Sequence, residues 1–195
     1  MICGILLAAG TASRFGSNKL LYPLPDGTPI GISAARNLKK SVDHVIAVVR
    51  PDDKVLTNLL HTEGVSTIVA ENSGQGMSGS LVVAIRTTKD ADGWLIALAD
   101  MPWINPQTIS TIAMMIEEGT DIAAPYYGEH RGHPVGFSHR FLPELLRLTD
   151  DKGAGELLRI NSCFIRRFQS DDIGILQDVD RPRDVLTKSE LISPC

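Results

Sequence analysis

Cysteine is scarce in this sequence, and its three cysteines suit no common framework. Cys3, Cys163 and Cys195 are far apart and odd in number, and no CxxC pair is present. Neither a disulfide framework nor a structural zinc site is therefore indicated. Cys3 lies inside an apolar run, so we expect a buried small hydrophobic side chain there and not a nucleophile.

Excess positive charge and long apolar segments are also lacking. The chain carries 19 Lys and Arg against 23 Asp and Glu, a net charge of -4 at pH 7. A generic binder of nucleic acid or of an anionic membrane would have a basic surface, so we expect neither as a partner. The apolar start, Met1–Ala9, has no basic n-region and is too short to span a bilayer. The expected location is the cytoplasm.

What the sequence does contain is an alternation of short apolar runs and amphipathic stretches of helical length. Its 195 residues predict one domain, 1–195, with a sizeable core. Five runs are predicted as strands buried on both faces: Ile2–Ala8, His44–Val49, Ser66–Ala70, Trp94–Ala99 and Asp121–Ala124. Four stretches between them are predicted as helices: Ile30–Lys40, Asp52–Glu63, Met77–Thr87 and Pro106–Glu118. Gly64 and Gly119 follow two of these helices at expected C-cap positions.

This alternation predicts a three-layer α/β/α fold of the Rossmann-like type, with a mostly parallel sheet covered by helices on both faces. After Pro125 the pattern changes, and Tyr126–Ser138 is predicted as a small hairpin excursion from the sheet. Three further elements are predicted beyond it: a helix at Phe141–Leu148, a strand at Cys163–Phe168 and a closing helix at Pro182–Leu191. In such sheets, ligands bind outside the carboxyl ends of the strands.

A loop rich in small residues follows the first strand, from Leu7 to Lys19. Small side chains let backbone N–H groups approach a polyphosphate, and consecutive N–H groups form an anion nest. Arg14 and Lys19 add positive charge there. The loop contains neither GxxxxGK[ST] nor GxGxxG, which disfavours common ATPases and dinucleotide enzymes. On spacing alone, a plain surface turn with solvated basic residues remains an equal alternative.

One acidic residue occupies a position that suits a hard cation. Asp100 follows a buried strand at its carboxyl end and is well placed to bind Mg²⁺. Its alternative role is to cap the next helix, although Asn105 is the better-placed cap. A second acidic cluster lies at the start of the closing helix, with Asp178 and Asp180 before it and Asp184 in its first turn. From the residues alone, an N-cap and an acidic first turn account for this cluster.

The segment LAAGTASRFGSNKLL resembles the signature LAAGxSxRxGxxKLL of MobA-like nucleotidyltransferases, and is most similar to the branch containing molybdenum cofactor cytidylyltransferase. The segments LADMP, GMSGS, RGHPV, DVDRP and KGAGELL also resemble that branch, so the similarity extends from Ile5 to Leu186. Departures from the family pattern include Asn18, often proline, Ala99, often glycine, and Arg181, usually threonine.

The resemblance implies roles for individual residues. It implies that Lys19, Arg14 and Asp100 are catalytic, and that Asp180, or less favourably Asp178, shares a magnesium ion with Asp100. It implies that Arg131 and His133 face the acceptor. The residues it assigns to the nucleotide are Leu7, Ala8, Ala9, Gly10, Ser13, Gly16, Gly76 and Ser80.

The implied reaction transfers a nucleoside monophosphate from an NTP to the phosphate of molybdopterin cofactor and releases pyrophosphate. GTP-using relatives tend to carry LAGG where this chain has Ala8-Ala9-Gly10, so the resemblance favours CTP. A molybdoenzyme is then a possible recipient of the product. Two alternatives stay open: transfer to another phosphorylated small molecule such as methylerythritol phosphate, and a non-catalytic protein that binds and delivers molybdenum cofactor. Retention of Lys19, Asp100 and Asp180 together argues against the second.

Overall fold

The structure, a computed structural model, describes residues 1–10, 15, 18–70, 76–149 and 154–189. Within these residues, eight strands form one sheet in the order β3-β2-β1-β4-β7-β5-β6, and β8 pairs with the other side of β5. The strands are β1 Ile2–Leu7, β2 His44–Val49, β3 Ser66–Val69, β4 Gly93–Leu98, β5 Ile122–Tyr127, β6 His130–Arg131, β7 Val135–Ser138 and β8 Ile165–Gln169.

The sheet is mostly parallel, as the alternation of strands and helices predicts. Strands β1 to β4 pair in parallel, and β5 pairs in parallel with β8. β7 runs antiparallel to both β4 and β5 and joins the two parallel groups. Only β7 among these three strands runs in the opposite direction, and β5 runs in the same direction as β4.

Helices cover both faces of the sheet. The helices are α1 Ile30–Lys39, α2 Lys54–Thr62, α3 Gly76–Thr87, α4 Pro106–Glu117, α5 Leu142–Leu145, α6 Gly155–Ile160 and α7 Pro182–Ser189. The side chains of α1, α2, α4 and α7 enter one buried cluster, and those of α3, α5 and α6 enter a second cluster on the opposite face. The three-layer α/β/α fold is confirmed.

Several local predictions are confirmed. Gly64 and Gly119 follow α2 and α4 with φ of +70° and +93°, values that favour glycine. Cys3 is fully buried, and burial raises the pKa of its thiol to about 11. It therefore stays protonated at neutral pH and is a poor nucleophile.

Other local predictions need correction. Strand β3 lies at the edge of the sheet and is partly exposed, so the expectation that both its faces are buried is wrong. The predicted helix Phe141–Leu148 is a 3₁₀ turn followed by the single turn of α5, since Pro143 permits only a helix start there. The predicted strand at Cys163 begins later, at Ile165, after another 3₁₀ turn.

The predicted hairpin is present but does not leave the sheet. β5 and β6 pair across a turn at Gly128, and β7 then inserts between β4 and β5. Among the described residues, no helix is both long enough and apolar enough to cross a bilayer.

Candidate active site

The carboxyl ends of the two central strands place the candidate loops side by side. β1 pairs with β4 up to Leu7 and Leu98. Just beyond these strands, the amide of Ala99 donates to the Leu7 carbonyl at 3.1 Å, and that of Ala8 donates to the Val48 carbonyl at 2.9 Å. The loop after β1 and the segment after β4 therefore leave the sheet together.

Lys19 begins a short 3₁₀ turn, Lys19–Leu21, that follows the loop after β1. Asn18 stabilises this turn, because its side-chain oxygen accepts from the Leu20 amide at 3.3 Å. The Asn18 amide nitrogen also donates to Asp53 Oδ2 at 2.8 Å. Asp53 is buried at the N-terminus of α2, where its other oxygen accepts from Leu56. The position of Lys19 is thus fixed relative to a core helix.

The ammonium of Lys19 contacts two carboxylates from distant parts of the chain. Lys19 Nζ lies 2.8 Å from Asp100 Oδ2 and 3.6 Å from Asp180 Oδ1. The Lys19 side chain is only 13% exposed and that of Asp100 26%, so this group is partly shielded from water. Screening is weaker there than at an open surface, and the ion pair is correspondingly stronger.

Asp180 reaches this place through a backbone contact. The amide of Val179, which is buried, donates to the carbonyl of Asp100 at 2.9 Å. Asp184, in the first turn of α7, accepts from the amides of Asp180 and Arg181 at 2.9 and 2.7 Å. Asp184 therefore acts as a cap for this turn, and it leaves Asp180 directed towards Lys19.

Asp178 lies close to the same negative charges. Partial desolvation raises the pKa of its carboxyl, and the carboxylates of Asp180 and Asp100 raise it further. Lys19 opposes this effect, but less strongly. The direct contact with Lys19 belongs to Asp180, which favours Asp180 over Asp178 as the partner of Asp100.

A cavity of about 220 Å³ lies beside these residues, on the face of the sheet covered by α3 and α6. Arg131 and His133 contribute its polar lining. Its apolar wall is formed by Leu7, Leu81, Ile96, Leu98, Val135, Phe137 and Leu158, with Ala154 and Gly155 at the start of α6. The two predicted acceptor residues and the predicted nucleotide residue Leu7 are therefore found around one space.

The His133 side chain is half-buried in the lining of this cavity. Burial lowers the pKa of its ring, against the opposing effects of the Ile96 carbonyl and Asp100, so the ring is neutral at pH 7. Within the described part of the chain, Nδ1 is buried and has no hydrogen-bond partner. A buried ring nitrogen left in this state is available to a ligand.

The remaining predicted nucleotide residues are only partly accounted for. Ala8 is buried at the end of β1, Ala9 is half-buried, and Gly10 is exposed, with no atom of the described residues within 4 Å of a methyl group placed on it. Gly76 is the first residue of α3, and Ser80 is buried on that helix. Ser13, Arg14 and Gly16 lie outside the described residues.

Two residues of this region were not predicted from the sequence. Asp53 holds Asn18 and caps α2, and Asp172 accepts hydrogen bonds at the start of α4. Asp53 is the second residue of the predicted helix Asp52–Glu63, whereas in the structure it is the N-cap of α2, a position that aspartate favours. Asp172 acts on a helix 64 positions away from it, and no local pattern indicates such a contact.

The carboxylates fit a divalent cation. Asp100 and Asp180 already share one positive group, the ammonium of Lys19, and carboxylate oxygen is the ligand that Mg²⁺ prefers. No group of three or more His, Cys, Asp or Glu side chains with metal-binding geometry occurs among the described residues. Mg²⁺ is commonly held by one or two carboxylates together with substrate phosphates, so two are sufficient.

Comparison with known proteins identifies the family of this chain. The profile of the MobA-like NTP transferase domain matches residues 4–170. A probable molybdenum cofactor guanylyltransferase from Thermococcus sibiricus is 31% identical over 173 residues, which cover 84% of each chain. The purine catabolism protein PucB of Bacillus subtilis is 27% identical over 193 residues, covering 94% of this chain and 93% of PucB.

A solved structure is similar over almost the whole chain. The crystal structure of Rv0371c from Mycobacterium tuberculosis H37Rv has a TM-score of 0.84 and 29% identity and covers 97% of both chains. A complex of Rv0371c with manganese has a TM-score of 0.78 and 25% identity, over 98% of this chain and 99% of that chain.

Proposed function

Because this chain belongs to the family of MobA-like NTP transferase domains and is a nucleotidyltransferase, we propose that it transfers CMP from CTP to the phosphate of molybdopterin cofactor. A phosphate oxygen of the acceptor forms a bond to the α-phosphorus of CTP. The bond from that phosphorus to the bridging oxygen of the β-phosphate breaks, and pyrophosphate leaves with the electron pair. The acceptor phosphate is already nucleophilic at neutral pH, so alignment and charge neutralisation matter more than a strong base.

The observation that carries this proposal is the meeting of Lys19, Asp100 and Asp180. A cation beside paired carboxylates, at the carboxyl end of a parallel sheet, is the arrangement that a metal-bound triphosphate requires. A protein that only bound and delivered a cofactor would need no such group. This favours transfer over the non-catalytic alternative.

Asp100 and Asp180 would hold the divalent cation. The manganese complex of Rv0371c supports, by similarity, the binding of a divalent cation, and Mg²⁺ is the expected ion for this chain. When bound, the ion would neutralise charge on the triphosphate and on the transferring phosphoryl group. The chain itself supplies the two carboxylates and keeps them adjacent through the Val179–Asp100 hydrogen bond.

Lys19 and the backbone around Gly10 would bind the phosphates. Lys19 Nζ lies 2.8 Å from Asp100 Oδ2, so it is placed to bind the pyrophosphate that leaves. Gly10 is exposed and has no side chain, so its main chain could approach an anion closely. Arg14 would add a second positive charge from the same loop. The N-terminus of α3 at Gly76 would present the positive end of the helix dipole to the nucleotide.

The cavity beside His133 would receive part of the acceptor. Its apolar wall suits a ring system, Arg131 suits an anionic group, and the unpartnered Nδ1 of His133 suits a polar ring atom. These features together match an acceptor that combines a heterocycle with a phosphate. A small linear acceptor such as methylerythritol phosphate would leave the apolar wall uncovered.

The choice of CTP rests on Ala8 and Ala9, which stand where GTP-using relatives tend to carry LAGG. The test is a pyrophosphate-release assay with CTP, GTP, ATP and UTP, each with Mg²⁺ and with molybdenum cofactor, methylerythritol phosphate or no acceptor. We expect release only with CTP and molybdenum cofactor.

The other outcomes of this assay each correct a different part of the proposal. Release with GTP in place of CTP would change the nucleotide, and release with methylerythritol phosphate would change the acceptor. Tight binding of molybdenum cofactor without release from any nucleotide would support the delivery protein. Asp100→Asn serves as the blank, since it removes a proposed metal ligand without changing the side-chain shape.

A further inference from the structure

The segment that leads into α7 joins both sides of the proposed site. We define the tie segment as residues 173–179; it begins with a 3₁₀ turn, Ile173–Leu176. On one side, the carbonyl of Ile175 accepts from the His133 amide at 3.0 Å. On the other, the amide of Val179 donates to the Asp100 carbonyl at 2.9 Å. The tie segment thus helps to position both His133, which lines the proposed acceptor cavity, and Asp100, a proposed metal ligand.

The tie segment is packed against backbone on both sides. A methyl group at Gly174 would lie 2.3 Å from the Trp103 carbonyl oxygen, and one at Gly132 would lie 2.6 Å from the Ile175 carbonyl oxygen. Gly174 and Ile175 are both buried. A displacement of the tie segment would therefore be transmitted to the chain after Asp100 and to the loop before His133.

A single carboxylate anchors the start of the tie segment. Asp172 Oδ1 accepts from the amide of Gly174 at 3.0 Å. Its Oδ2 accepts from the amide of Asn105 at 2.8 Å and from the hydroxyl of Thr108 at 3.0 Å. Asp172 thereby fastens the tie segment to the N-terminus of α4, a helix of the core whose dipole favours an anion at that end.

Capping alone does not account for Asp172. Asn105 is already the N-cap of α4, because its side chain accepts from the Gln107 amide at 2.9 Å. The distinctive property of Asp172 is that its two oxygens serve different segments. An asparagine at this position would keep one accepting oxygen. Its NH₂ group would replace the other oxygen and face the hydrogen-bond donors that this oxygen now serves.

We propose that Asp172 is a positioning residue for nucleotidyl transfer, which acts through the tie segment on Asp180 and His133. The inference rests on the proposed function for its catalytic consequence, and on the hydrogen bonds alone for its structural part. Loss of the Asp172 hydrogen bonds makes the position of Asp180 relative to His133 less well defined. Lys19 and the loop after β1 stay in place. The effect should therefore be on turnover and metal affinity more than on nucleotide binding.

The test compares Asp172→Ala with Asp172→Asn and with Asn105→Ala as the matched control. Asn105→Ala removes the side-chain cap of α4 but keeps the backbone hydrogen bond to Asp172. For each variant, kcat and KM for the NTP are measured with Mg²⁺, Mn²⁺ affinity is measured by electron paramagnetic resonance, and amide hydrogen exchange is measured at His133 and Val179.

For Asp172→Ala we expect kcat to fall about 10- to 100-fold, as for a misplaced reacting group, with KM within about twofold of the parent. Mn²⁺ affinity should fall roughly 10-fold, at the lower end of the effect of residues that orient metal ligands. Exchange should accelerate at both amides. Asp172→Asn should restore part of the loss, and Asn105→Ala should lower the melting temperature without changing kcat.

The inference is overturned if Asp172→Ala behaves like Asn105→Ala, with a lower melting temperature but unchanged kcat, Mn²⁺ affinity and amide exchange. A parent protein without transferase activity would instead overturn the proposed function. In that case the exchange at His133 and Val179 still decides whether Asp172 holds the tie segment. If Asp172→Ala does not fold, Asp172→Asn and Thr108→Val are compared with Asn105→Ala in its place, since each weakens the hydrogen bonds of Asp172.

Discussion

The ammonium of Lys19 lies 2.8 Å from a carboxylate oxygen of Asp100, although 81 positions separate the two residues. This contact joins the turn after the first loop to the segment after the fourth strand. It forms because parallel strands β1 and β4 are neighbours and both end at the same edge of the sheet. The two residues are thus close enough to act on one triphosphate.

Removal of the Asp100 carboxylate should greatly reduce turnover and leave the fold intact. For Asp100→Ala or Asp100→Asn we expect kcat to fall by roughly 10²–10³, the loss typical of one electrostatic group in an active site. The melting temperature should stay near that of the parent, because Asp100 is partly exposed and outside the apolar core. Steady-state kinetics and thermal melting check the two parts. An unchanged rate would remove the metal assignment.

Removal of the Lys19 charge should have opposite effects on turnover and on metal binding. Lys19 and a divalent cation compete for the same two carboxylates. Lys19→Met should therefore tighten Mn²⁺ binding by roughly two- to fivefold, in line with the modest strength of a partly exposed ion pair. Turnover should nevertheless fall, since the leaving pyrophosphate loses its cation. Weaker Mn²⁺ binding by Lys19→Met would mean that Lys19 does not occupy the metal position.

Asp180 and Asp178 form a matched pair for assigning the second metal ligand. Asp180 contacts Lys19, whereas Asp178 adds charge nearby without that contact. Asp180→Asn should weaken Mn²⁺ binding roughly 10-fold or more, and Asp178→Asn should change it little. Isothermal titration with Mn²⁺ distinguishes the two. A larger loss with Asp178→Asn would reverse the assignment.

Asn18 should contribute to stability through Asp53. The Asp53 side chain is 3% exposed, so loss of its 2.8 Å hydrogen bond from Asn18 leaves a buried carboxylate with one partner fewer. We expect Asn18→Ala to reduce the free energy of unfolding by about 1–3 kcal/mol. Urea denaturation measures this change. In a double-mutant cycle with Asp53→Ala, additive effects would show that the hydrogen bond contributes nothing.

Much of the fold was predictable because the spacing of apolar residues and the glycines at helix ends indicate the same elements. The central strands at Ile2–Leu7 and His44–Val49 are continuous apolar runs, and Gly64 and Gly119 end two of the helices. The edge position of β3 was not predictable, because the apolar run Ile68, Val69 and Ala70 suggested burial on both faces. Insertion of β7 between β4 and β5 is a tertiary outcome that no local pattern records.

The candidate site was predictable in part for similar reasons. Asp100 stands at a strand end, where a general rule for parallel sheets directs attention, and the family resemblance supplied Lys19 and Asp180. The contacts made by Asn18 and Asp172 could not be predicted. Each depends on two segments that meet only in the folded chain, and a single asparagine or aspartate in a loop usually indicates a turn or a cap.

A crystal structure of the protein with CTP and Mn²⁺ tests the central claim most directly, because anomalous scattering locates the metal independently of the coordinates around it. The account predicts one manganese peak between the carboxylates of Asp100 and Asp180, with Lys19 moved onto a phosphate of the nucleotide. A manganese peak elsewhere, or a triphosphate out of reach of Lys19, would contradict it.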